Sequence, residues 1–467
     1  MEQSGEVSHR QEEQDGLPPA ERRRAMLSVA IGVAMASLDT AIANTALPAM
    51  AAQLHATPAD SVWIVNIYQL AMVATLLPFA ALAEIVSYRR IFIFGLGLFT
   101  LASLACACAW SLPALIAARL FQGVGGSAVM GINTALIRTI YPSRMLGRGM
   151  GMNALVVAVS FAVGPTVAST ILSLWSWPLL FAVNVPLGLA AFFLARRALP
   201  ETRRATHRFD APTALYNVGA FGMLILTIGE AAHLRDARTV LLEAAVTLVF
   251  FILLLRRQAG HQAPMLPVDL FRRPQFTLSA LTAVFTFGAQ GLAFVSLPFY
   301  FETVLGRSAV ETGFLLTPWA ALVAVMAPIA GRLSDRYPVG ILAGIGNAIL
   351  ALGLVLLLTM SPSPSVFDIC WRMAMCGVGF GFFQAPNLRA ILSSAPPERG
   401  GGASGIVATS RLIGQASGAA LVALCFTLFA GHGEAVALGM GAAFAAVACA
   451  FSLLRMVGAK PSTGSKA

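Results

Sequence analysis

Long apolar runs, separated by short polar stretches, dominate the chain from Ala25 to Met456. A helix needs about 20 predominantly apolar residues to cross a bilayer. The pattern therefore predicts fourteen membrane-spanning helices, with ends defined to within a few residues. The predicted spans are 25–48, 62–83, 91–110, 112–136, 146–174, 179–194, 214–232, 239–255, 276–300, 313–330, 341–360, 369–391, 405–430 and 436–456.

The composition is that of a polytopic membrane protein. Hydrophobic residues make up 57% of the 467 residues and charged residues 11%, against roughly 25% charged residues in soluble domains. The polar tail at 1–24 has no apolar segment typical of a signal peptide, and we expect it to be disordered and cytoplasmic. The six cysteines form no C-x-x-C pair, so we predict no metal site.

The basic residues are sorted by side. When loops are assigned to alternate sides, nearly all Lys and Arg fall on the side of the termini, including Arg411 and Arg455. The opposite side holds only Arg235, Arg238, Arg307 and Arg372. Since basic loops stay in the cytoplasm, the sorting predicts a bacterial inner-membrane protein with both termini cytoplasmic. It also explains the net charge of +10 without a nucleic-acid partner.

Two arginine-bearing cytoplasmic linkers, 196–211 and 257–275, divide the spans into groups of six, two and six. The predicted fold class is an all-α polytopic membrane protein with 14 transmembrane helices. An N-terminal six-helix bundle occupies 25–195 and a C-terminal six-helix bundle occupies 276–457. Two additional transmembrane helices lie at 212–256, and a cytoplasmic tail follows at 458–467.

Corresponding places in the two groups of six carry a charged motif, which indicates an internal repeat. One motif follows the second span and the other follows the tenth. Each places a carboxylate beside arginines at the cytoplasmic mouth, which predicts a gating latch; the alternative is a pair of ordinary interfacial loops. The latch residues are Glu84, Arg89, Arg90, Gly331, Arg332, Asp335 and Arg336.

Asp39 and Arg119 lie inside apolar spans, where a charge costs at least a few kcal/mol. Asp39 is about 22 Å along its helix from Arg24, and Arg119 is about 10 Å from Leu112. In a hydrocarbon core about 30 Å thick these depths nearly coincide. We predict that the two side chains pair, directly or through water, and that Asp39 couples transport to protons. The alternative is a static salt bridge that only holds helices together.

The fifth span contains Gly164-Pro165 between small residues. Proline within a helix produces a kink, and small neighbours allow another helix to approach closely. This dipeptide predicts a bend at a moving helix contact.

These motifs together resemble the fourteen-helix drug:proton antiporter branch of the major facilitator superfamily. The resemblance extends from Leu38 to about Leu421 and rests on motifs in several spans. They are Leu38-Asp39, Asn44 and Leu47-Pro48; Arg119 with Gln122-Gly123; Gly164-Pro165; Trp175-x-Trp177 with Asn184-x-Pro186; and Gly379-x-Gly381 with Gln384-x-Pro386-Asn387. The family implies two six-helix bundles, a central cavity and alternating access.

The sequence departs from the family pattern in places. Ala80, Glu84, Ser87 and Tyr88 replace the family's glycine, aspartate, glycine and basic residue in the motif after the second span. Glu302 stands where glutamine is more usual, so it is either a second acidic cavity residue or an interfacial residue at a helix end.

Other polar and aromatic residues within spans are candidate substrate contacts, or else helix-packing residues. With Asp39, Arg119 and Glu302, the predicted substrate-binding residues are Asn44, Tyr68, Gln69, Gln290, Trp319 and Gln384. Further cavity candidates are Trp63, Asn66, Asn153 and Gln415.

We therefore expect a monomeric efflux transporter that exports amphipathic cationic or neutral compounds in exchange for protons, with substrate and proton competing for Asp39. Its partners are the small-molecule substrate, protons and membrane lipids, and it needs no cofactor beyond the proton gradient. The alternative is export of an endogenous lipid, siderophore or secondary metabolite. A membrane enzyme or receptor is the least favoured function, because no catalytic or phosphate-binding motif is present.

Overall fold

The computed structural model describes residues 16–202, 209–232, 236–258, 268–396, 400–429 and 431–457. The predicted C-terminal tail, most of the N-terminal tail and parts of both linkers lie outside these residues. Within the described part, 14 helices are long and apolar enough to cross a membrane, which confirms the number predicted from hydropathy.

The membrane helices are numbered α1 to α14 in chain order. They are α1 Pro19–Thr45, α2 Trp63–Val86, α3 Tyr88–Ala107, α4 Leu112–Met130 with its continuation Asn133–Ile140, α5 Leu146–Leu174, α6 Pro178–Ala182 with its continuation Asn184–Ala198, α7 Ala211–Ala232, α8 Ala237–Gln258, α9 Pro274–Phe299, α10 Ala309–Leu333, α11 Val339–Leu358, α12 Val366–Ser394, α13 Gly400–Leu428 and α14 Gly433–Val457.

Prolines set several helix ends. Proline lacks an amide hydrogen and fixes its φ angle, so it is tolerated in the first turn of a helix and disfavoured further along. α1 begins at Pro19 rather than at the predicted Ala25, and it ends at Thr45, shortly before Pro48. The chain then continues as the short helix Leu47–Gln53, with Pro48 in its first turn.

The two groups of six helices pack in the same way, which is physical evidence for the predicted internal repeat. In the first group α4 packs against α2 and α3, while α6 packs against α1 and α3, and α5 against α1. In the second group α12 packs against α10 and α11, while α14 packs against α9 and α11, and α13 against α9. The same five contacts therefore build both halves of the molecule.

Closely packed glycines hold the central helix of each half. Small residues allow membrane helices to approach until their backbones touch. A Cβ atom on Gly125 of α4 would lie 2.6 Å from the backbone nitrogen of Phe99 in α3. Gly379, at the matching place in α12, would meet the backbone of Leu350 in α11 in the same way.

The two additional helices form a hairpin beside the boundary between the halves. α7 contacts α2 of the first half and α13 of the second, and α8 packs against α7. Asn217 of α7 donates a hydrogen bond from Nδ2 to the carbonyl oxygen of Ala74 in α2, at 3.0 Å. Gly229 of α7 lies against the ring of Trp63. The hairpin thus covers the side of the molecule where α2 meets α13.

The packing at Gly125 generates a stability prediction. Gly125→Ala should lower the stability of the purified protein by about 1–3 kcal/mol, because the new methyl group must displace the backbone of α3. A matched control is Gly151→Ala in α5, where nothing lies within 4 Å of the added Cβ. That change should leave stability unchanged or slightly raised, because alanine favours helix over glycine. Thermal unfolding in detergent measures both; equal effects of the two substitutions would contradict the packing argument.

Candidate functional site: a central cavity and a buried charge network

A cavity of about 640 Å³ lies between the two halves, within the roughly 300–1,000 Å³ typical of small-molecule sites. We call the end of the bundle that holds Pro19 and Val457 the termini face, and the other end the distal face. The cavity opens at the termini face, where Glu84, Tyr88 and Arg138 line its mouth.

The α7–α8 hairpin also contributes to this mouth through Asp210, just before α7, and Gln258 at the end of α8. Arg257 holds Asp210 through hydrogen bonds of 2.9–3.1 Å. These bonds to a cation lower the pKa of Asp210, which also accepts from Thr213. Asp210 is therefore a fixed anion that ties the hairpin together.

The inner end of the cavity narrows into a recess of about 50 Å³. Val157, Phe287, Gln384 and Arg411 line both the cavity and the recess, so the two spaces are continuous. The remaining wall is mainly aromatic and amide in character. It consists of Ala158, Phe161, Gln290, Phe294, Trp319, Ala320, Val323, Phe380 and Gln415.

The recess supplies hydrogen-bond donors. Gln415 donates from Nε2 to Oε1 of Gln290 at 3.0 Å, which uses the acceptor of Gln290 and leaves its amide nitrogen as a donor. The Nε1 atom of Trp319 is buried and has no hydrogen-bond partner among the described residues. Its ring packs edge-on against Phe294 with centroids 5.0 Å apart.

A separate buried network surrounds Asp39 and Arg119. The two side chains form a direct ion pair, and each side chain is only 1% exposed. Arg119 also donates from Nε to the carbonyl oxygen of Ile64 at 3.0 Å, and from Nη1 to Oε1 of Gln122 at 2.7 Å. The predicted pairing of Asp39 with Arg119 is thus direct.

Amides complete the coordination of Asp39. Gln122 donates from Nε2 to Oδ1 of Asp39 at 2.8 Å and to Ser103 Oγ at 2.9 Å. Asn184 of α6 donates to the same Asp39 oxygen at 3.3 Å. Because Asp39, Arg119 and their partners come from α1, α2, α3, α4 and α6, the network joins five helices of the first half.

Aromatic rings enclose the guanidinium of Arg119. Its Cζ lies 4.2 Å from the ring centroid of Tyr68 and 5.5 Å from that of Phe181, distances at which cation–π attraction is favourable. These rings help to exclude water from the pair.

α5 and α10 close the distal face. Thr166 and Thr317 hydroxyl oxygens lie 2.9 Å apart, and Ser169 donates from Oγ to the carbonyl oxygen of Ala309 at 3.1 Å. A Cβ on Gly313 would overlap Ser169 and the carbonyl group of Pro165. The protein is therefore open at the termini face and packed shut at the distal face.

Gly164 and Pro165 join this closure to the charge network. Gly164 packs directly against Ala41 of α1, so closely that a Cβ on the glycine would overlap the Ala41 methyl group. Ala41 lies two residues after Asp39 in the same helix. The helix that carries Asp39 thus contacts the segment of α5 that touches α10.

The structure places the predicted substrate residues in two groups. Gln290, Trp319 and Gln384 line the cavity or its recess, as do Asn153 and Gln415. The walls of these two spaces do not include Asp39, Asn44, Tyr68, Gln69, Arg119 or Glu302. In this conformation the expected direct competition of substrate and proton at Asp39 therefore has no geometric basis.

Glu302 lies at the distal end of α9 in a π-helical turn, Tyr300–Val304. Its Oε1 atom is buried without a hydrogen-bond partner among the described residues. The sequence left two interpretations of Glu302: an acidic cavity residue or an interfacial residue at a helix end. Its position at the distal end of α9 agrees with the second.

The latch residues form ion pairs that the motifs did not predict. Asp335 pairs with Arg389 of α12, not with Arg332 or Arg336 of its own motif. Arg89 donates to Glu201 at 3.0 Å and to the carbonyl oxygen of Arg196 at 2.5 Å. Each of these two pairs stays within one half of the molecule.

Ser87, which replaces the family's glycine in this motif, adopts φ +143°, in a region that favours glycine. Thr202 supports the strained turn: its Oγ1 lies 3.1 Å from Ser87 Oγ and accepts from the Tyr88 amide at 3.0 Å. Glu84 lines the cavity mouth, while Arg90 lies in the first turn of α3 and Gly331 in the last turn of α10.

Sequence reasoning missed Arg411, which the charge sorting assigned to a loop. It lies within α13 and lines the inner cavity. Its Nε atom is buried and has no hydrogen-bond partner among the described residues. The signal was available, because Arg411 falls inside the predicted span 405–430, just as Asp39 and Arg119 fall inside theirs.

Arg455 was also assigned to a loop, and it too lies inside a helix, α14. It donates to Ser279 Oγ at 2.8 Å and to Asn387 Oδ1 at 3.0 Å, so protein acceptors satisfy it. Its role is to join three helices of the second half.

Comparison with known proteins agrees with this architecture. A family model described as Major Facilitator Superfamily matches residues 29–419. An uncharacterized transporter of Escherichia coli (strain K12), YebQ, is 51% identical over 95% of this chain and 97% of its own length.

Two further relatives have functional names. The riboflavin transporter RibZ of Clostridioides difficile (strain 630) is 28% identical over 86% of this chain and 87% of its own length. The multidrug resistance protein Stp of Mycobacterium tuberculosis (strain CDC 1551 / Oshkosh) is 30% identical, covering 85% and 74%.

Among solved structures, a bacterial homologue of the human lysosomal transporter Spinster, in an inward-facing and unoccupied conformation, aligns with a TM-score of 0.68. It is 16% identical and covers 94% of this chain and 98% of the other, a similarity that concerns the fold. The family match, the 14 spans and the relatives named as transporters identify a transporter rather than an enzyme. The chain therefore belongs to the major facilitator superfamily.

Proposed function

We propose that the protein exports amphipathic small molecules from the cytoplasm in exchange for protons, by alternating access. One observation carries the proposal. Asp39, which forms a buried ion pair with Arg119, lies on α1, and α1 packs against Gly164 of α5 next to the α5–α10 closure. A titratable group in that position is able to bias which face of the transporter is open.

The coupling is indirect. When Asp39 is charged, it and Gln122 hold Arg119, and α1 stays packed against α4 and α6. Protonation removes the negative charge and leaves a buried guanidinium without its counterion, a state that costs several kcal/mol unless the helices rearrange. Movement of α1 then reaches Gly164-Pro165 and the distal closure.

The substrate occupies the cavity rather than the charge network. Apolar and aromatic walls with a few amide groups suit a molecule with a flat apolar body and a small polar part. The name of the relative Stp supports a drug as substrate, and that of RibZ supports an endogenous aromatic metabolite as a second candidate.

We propose that the termini face lies on the cytoplasmic side of the bacterial inner membrane, because nearly all Lys and Arg residues in the loops fall on that side. The cavity then faces the cytoplasm, the side from which an exporter loads its substrate. We propose that the protein acts as a monomer in the lipid bilayer and that the proton gradient is its energy source.

The first prediction tests the proton site. Asp39→Asn should lower pH-gradient-driven efflux from proteoliposomes by about tenfold or more, since the amide cannot exchange a proton. Substrate binding should change by less than about threefold, because Asp39 lies off the cavity wall. Asp236→Asn, in an exposed position just before α8, is the matched control and should retain full activity. Continued proton-coupled efflux by Asp39→Asn would transfer the coupling role to another acid, with Glu302 as the next variant to measure.

The second prediction tests the distal closure. Cysteines at Thr166 and Thr317, whose hydroxyl oxygens lie 2.9 Å apart, should form a disulfide that fixes the protein open at the termini face. Oxidation should stop transport in the double variant, and a reductant should restore it. Neither single variant should respond to oxidant. A cross-linked protein that still transports at the normal rate would show that α5 and α10 do not separate during the cycle.

The third prediction tests orientation. In a Cys108→Ser/Cys370→Ser background, Asp236→Cys should react with a membrane-impermeant maleimide added to intact cells with a permeabilised outer membrane. Cys108 is exposed and Cys370 is half-buried near the distal face, so the unmodified protein should also react, whereas the Cys108→Ser/Cys370→Ser background alone should not. Reaction at position 236 only after lysis of the inner membrane would reverse the proposed orientation.

A further inference from the structure

The inner part of the cavity contains an arginine that the proposed mechanism does not use, Arg411, whose side chain is half-buried. Arg411 projects from α13 and lines both the cavity and its inner recess. Its Nε atom is buried without a hydrogen-bond partner among the described residues. In the part of the chain that the structure describes, no hydrogen bond or ion pair joins its guanidinium group to another residue.

Arg119, Arg389 and Arg455, which also lie within helices, differ in this respect. Arg119 pairs with Asp39, Arg389 pairs with Asp335, and Arg455 donates to Ser279 and Asn387. The protein thus satisfies those guanidinium groups with its own acceptors. A cation without a counterion in a low-dielectric site is costly. Two arginines line the space where substrate binds: Arg138 lies at its mouth and Arg411 at its inner end.

The polar groups around Arg411 are complementary to an acceptor. The wall of the recess contains no Asp or Glu among the residues described there. It does contain the amide donor of Gln290. The ring of Trp319 packs in the same wall, and its buried Nε1–H has no partner among the described residues. The two carboxylates on the wider cavity wall, Glu84 and Asp210, lie at the mouth, and Asp210 is already bonded to Arg257.

We propose that Arg411 binds an anionic headgroup, such as a carboxylate, on an amphipathic substrate whose aromatic or apolar body lies against Phe287, Phe294 and Phe380. Guanidinium binds carboxylate through two parallel hydrogen bonds, which are strong in a site that excludes water. The inference rests on the proposed export function and specifies its substrate class: organic anions rather than organic cations.

The assignment reverses the expectation from the sequence. Asp39 suggested a site for cations, but its charge is fully neutralised by Arg119 inside the first half. What the cavity itself presents to a substrate is a positive charge at its inner end. Charge selection is therefore made by Arg411 of the second half and proton binding by Asp39 of the first half.

Binding of three matched probes to the purified full-length protein tests this assignment. The probes are 4-(1-naphthyl)butyrate, 4-(1-naphthyl)butanol and 4-(1-naphthyl)butyl-trimethylammonium, which share one aromatic body and differ in their headgroup, which is anionic, neutral and cationic in turn. Isothermal titration calorimetry, with protein-free micelles as the blank, should give a Kd for the butyrate about tenfold or more below that of the trimethylammonium probe. Equal affinities, or tighter binding of the cation, would overturn the proposal without any mutation.

Two substitutions locate the preference. Arg411→Gln should abolish the difference between the anionic and cationic probes while keeping the affinity for the neutral alcohol within about threefold. Arg411→Lys should retain the preference in weakened form, because an ammonium keeps the charge but loses the bidentate geometry. Arg148→Gln removes the same charge from an exposed position on α5 and should change no affinity. An unaltered preference in Arg411→Gln would place the anion elsewhere.

The measurement does not depend on proton coupling. If the anion preference is found while Asp39→Asn still couples efflux to protons, the coupling proposal fails and the assignment of Arg411 stands. If Asp39→Asn abolishes coupling while the three probes bind equally, the substrate class is wrong and the transport mechanism stands.

Discussion

The burial of an ion pair inside a membrane-spanning bundle is the constraint on which the first half of the protein is built. Neither Asp39 nor Arg119 is tolerable alone in a hydrocarbon core, so α1 and α4 must stay in register while both are charged. Gln122 and Asn184 donate hydrogen bonds to Asp39, and Gln122 and the carbonyl oxygen of Ile64 accept from Arg119. Burial of this kind strengthens the attraction and also makes its loss costly. In the proposed mechanism, this cost is what allows a proton at Asp39 to act on helix packing.

The charge network is connected to the α5–α10 closure at the distal face through backbone contacts rather than through further polar groups. Gly164 allows α5 to lie against α1, and Gly313 allows α10 to lie against α5. Close-packed helices transmit displacement because they leave no space to absorb it. The absence of side chains at these two positions is therefore what connects the charge network to the boundary between the halves.

The second half uses its charges differently. Its helix packing repeats that of the first half, but the structure shows no counterpart of Asp39 beside Arg411 among the described residues. The repeat is thus architectural and not chemical. One half places a neutralised pair in its interior, while the other presents an unneutralised cation to the cavity. The α7–α8 hairpin covers the side where α2 meets α13 and adds Asp210 and Gln258 to the mouth.

The sequence by itself determined the number of spans, the internal repeat and the Asp39–Arg119 pairing. Each follows from local physics, since twenty apolar residues make a span and two charges at one depth must meet. Contacts between helices decided which side chains line the cavity and which charged residues pair. Hydropathy does not show which face of a helix points into the cavity, so Tyr68 and Gln69 were grouped with Gln290 although only Gln290 lies on the wall. Asp335 pairs with Arg389 because α10 and α12 are neighbours, a fact absent from either motif. Arg411 became a candidate binding residue only when the packing showed that no acceptor among the described residues reaches it, because the partners of a side chain depend on helices far away in the sequence.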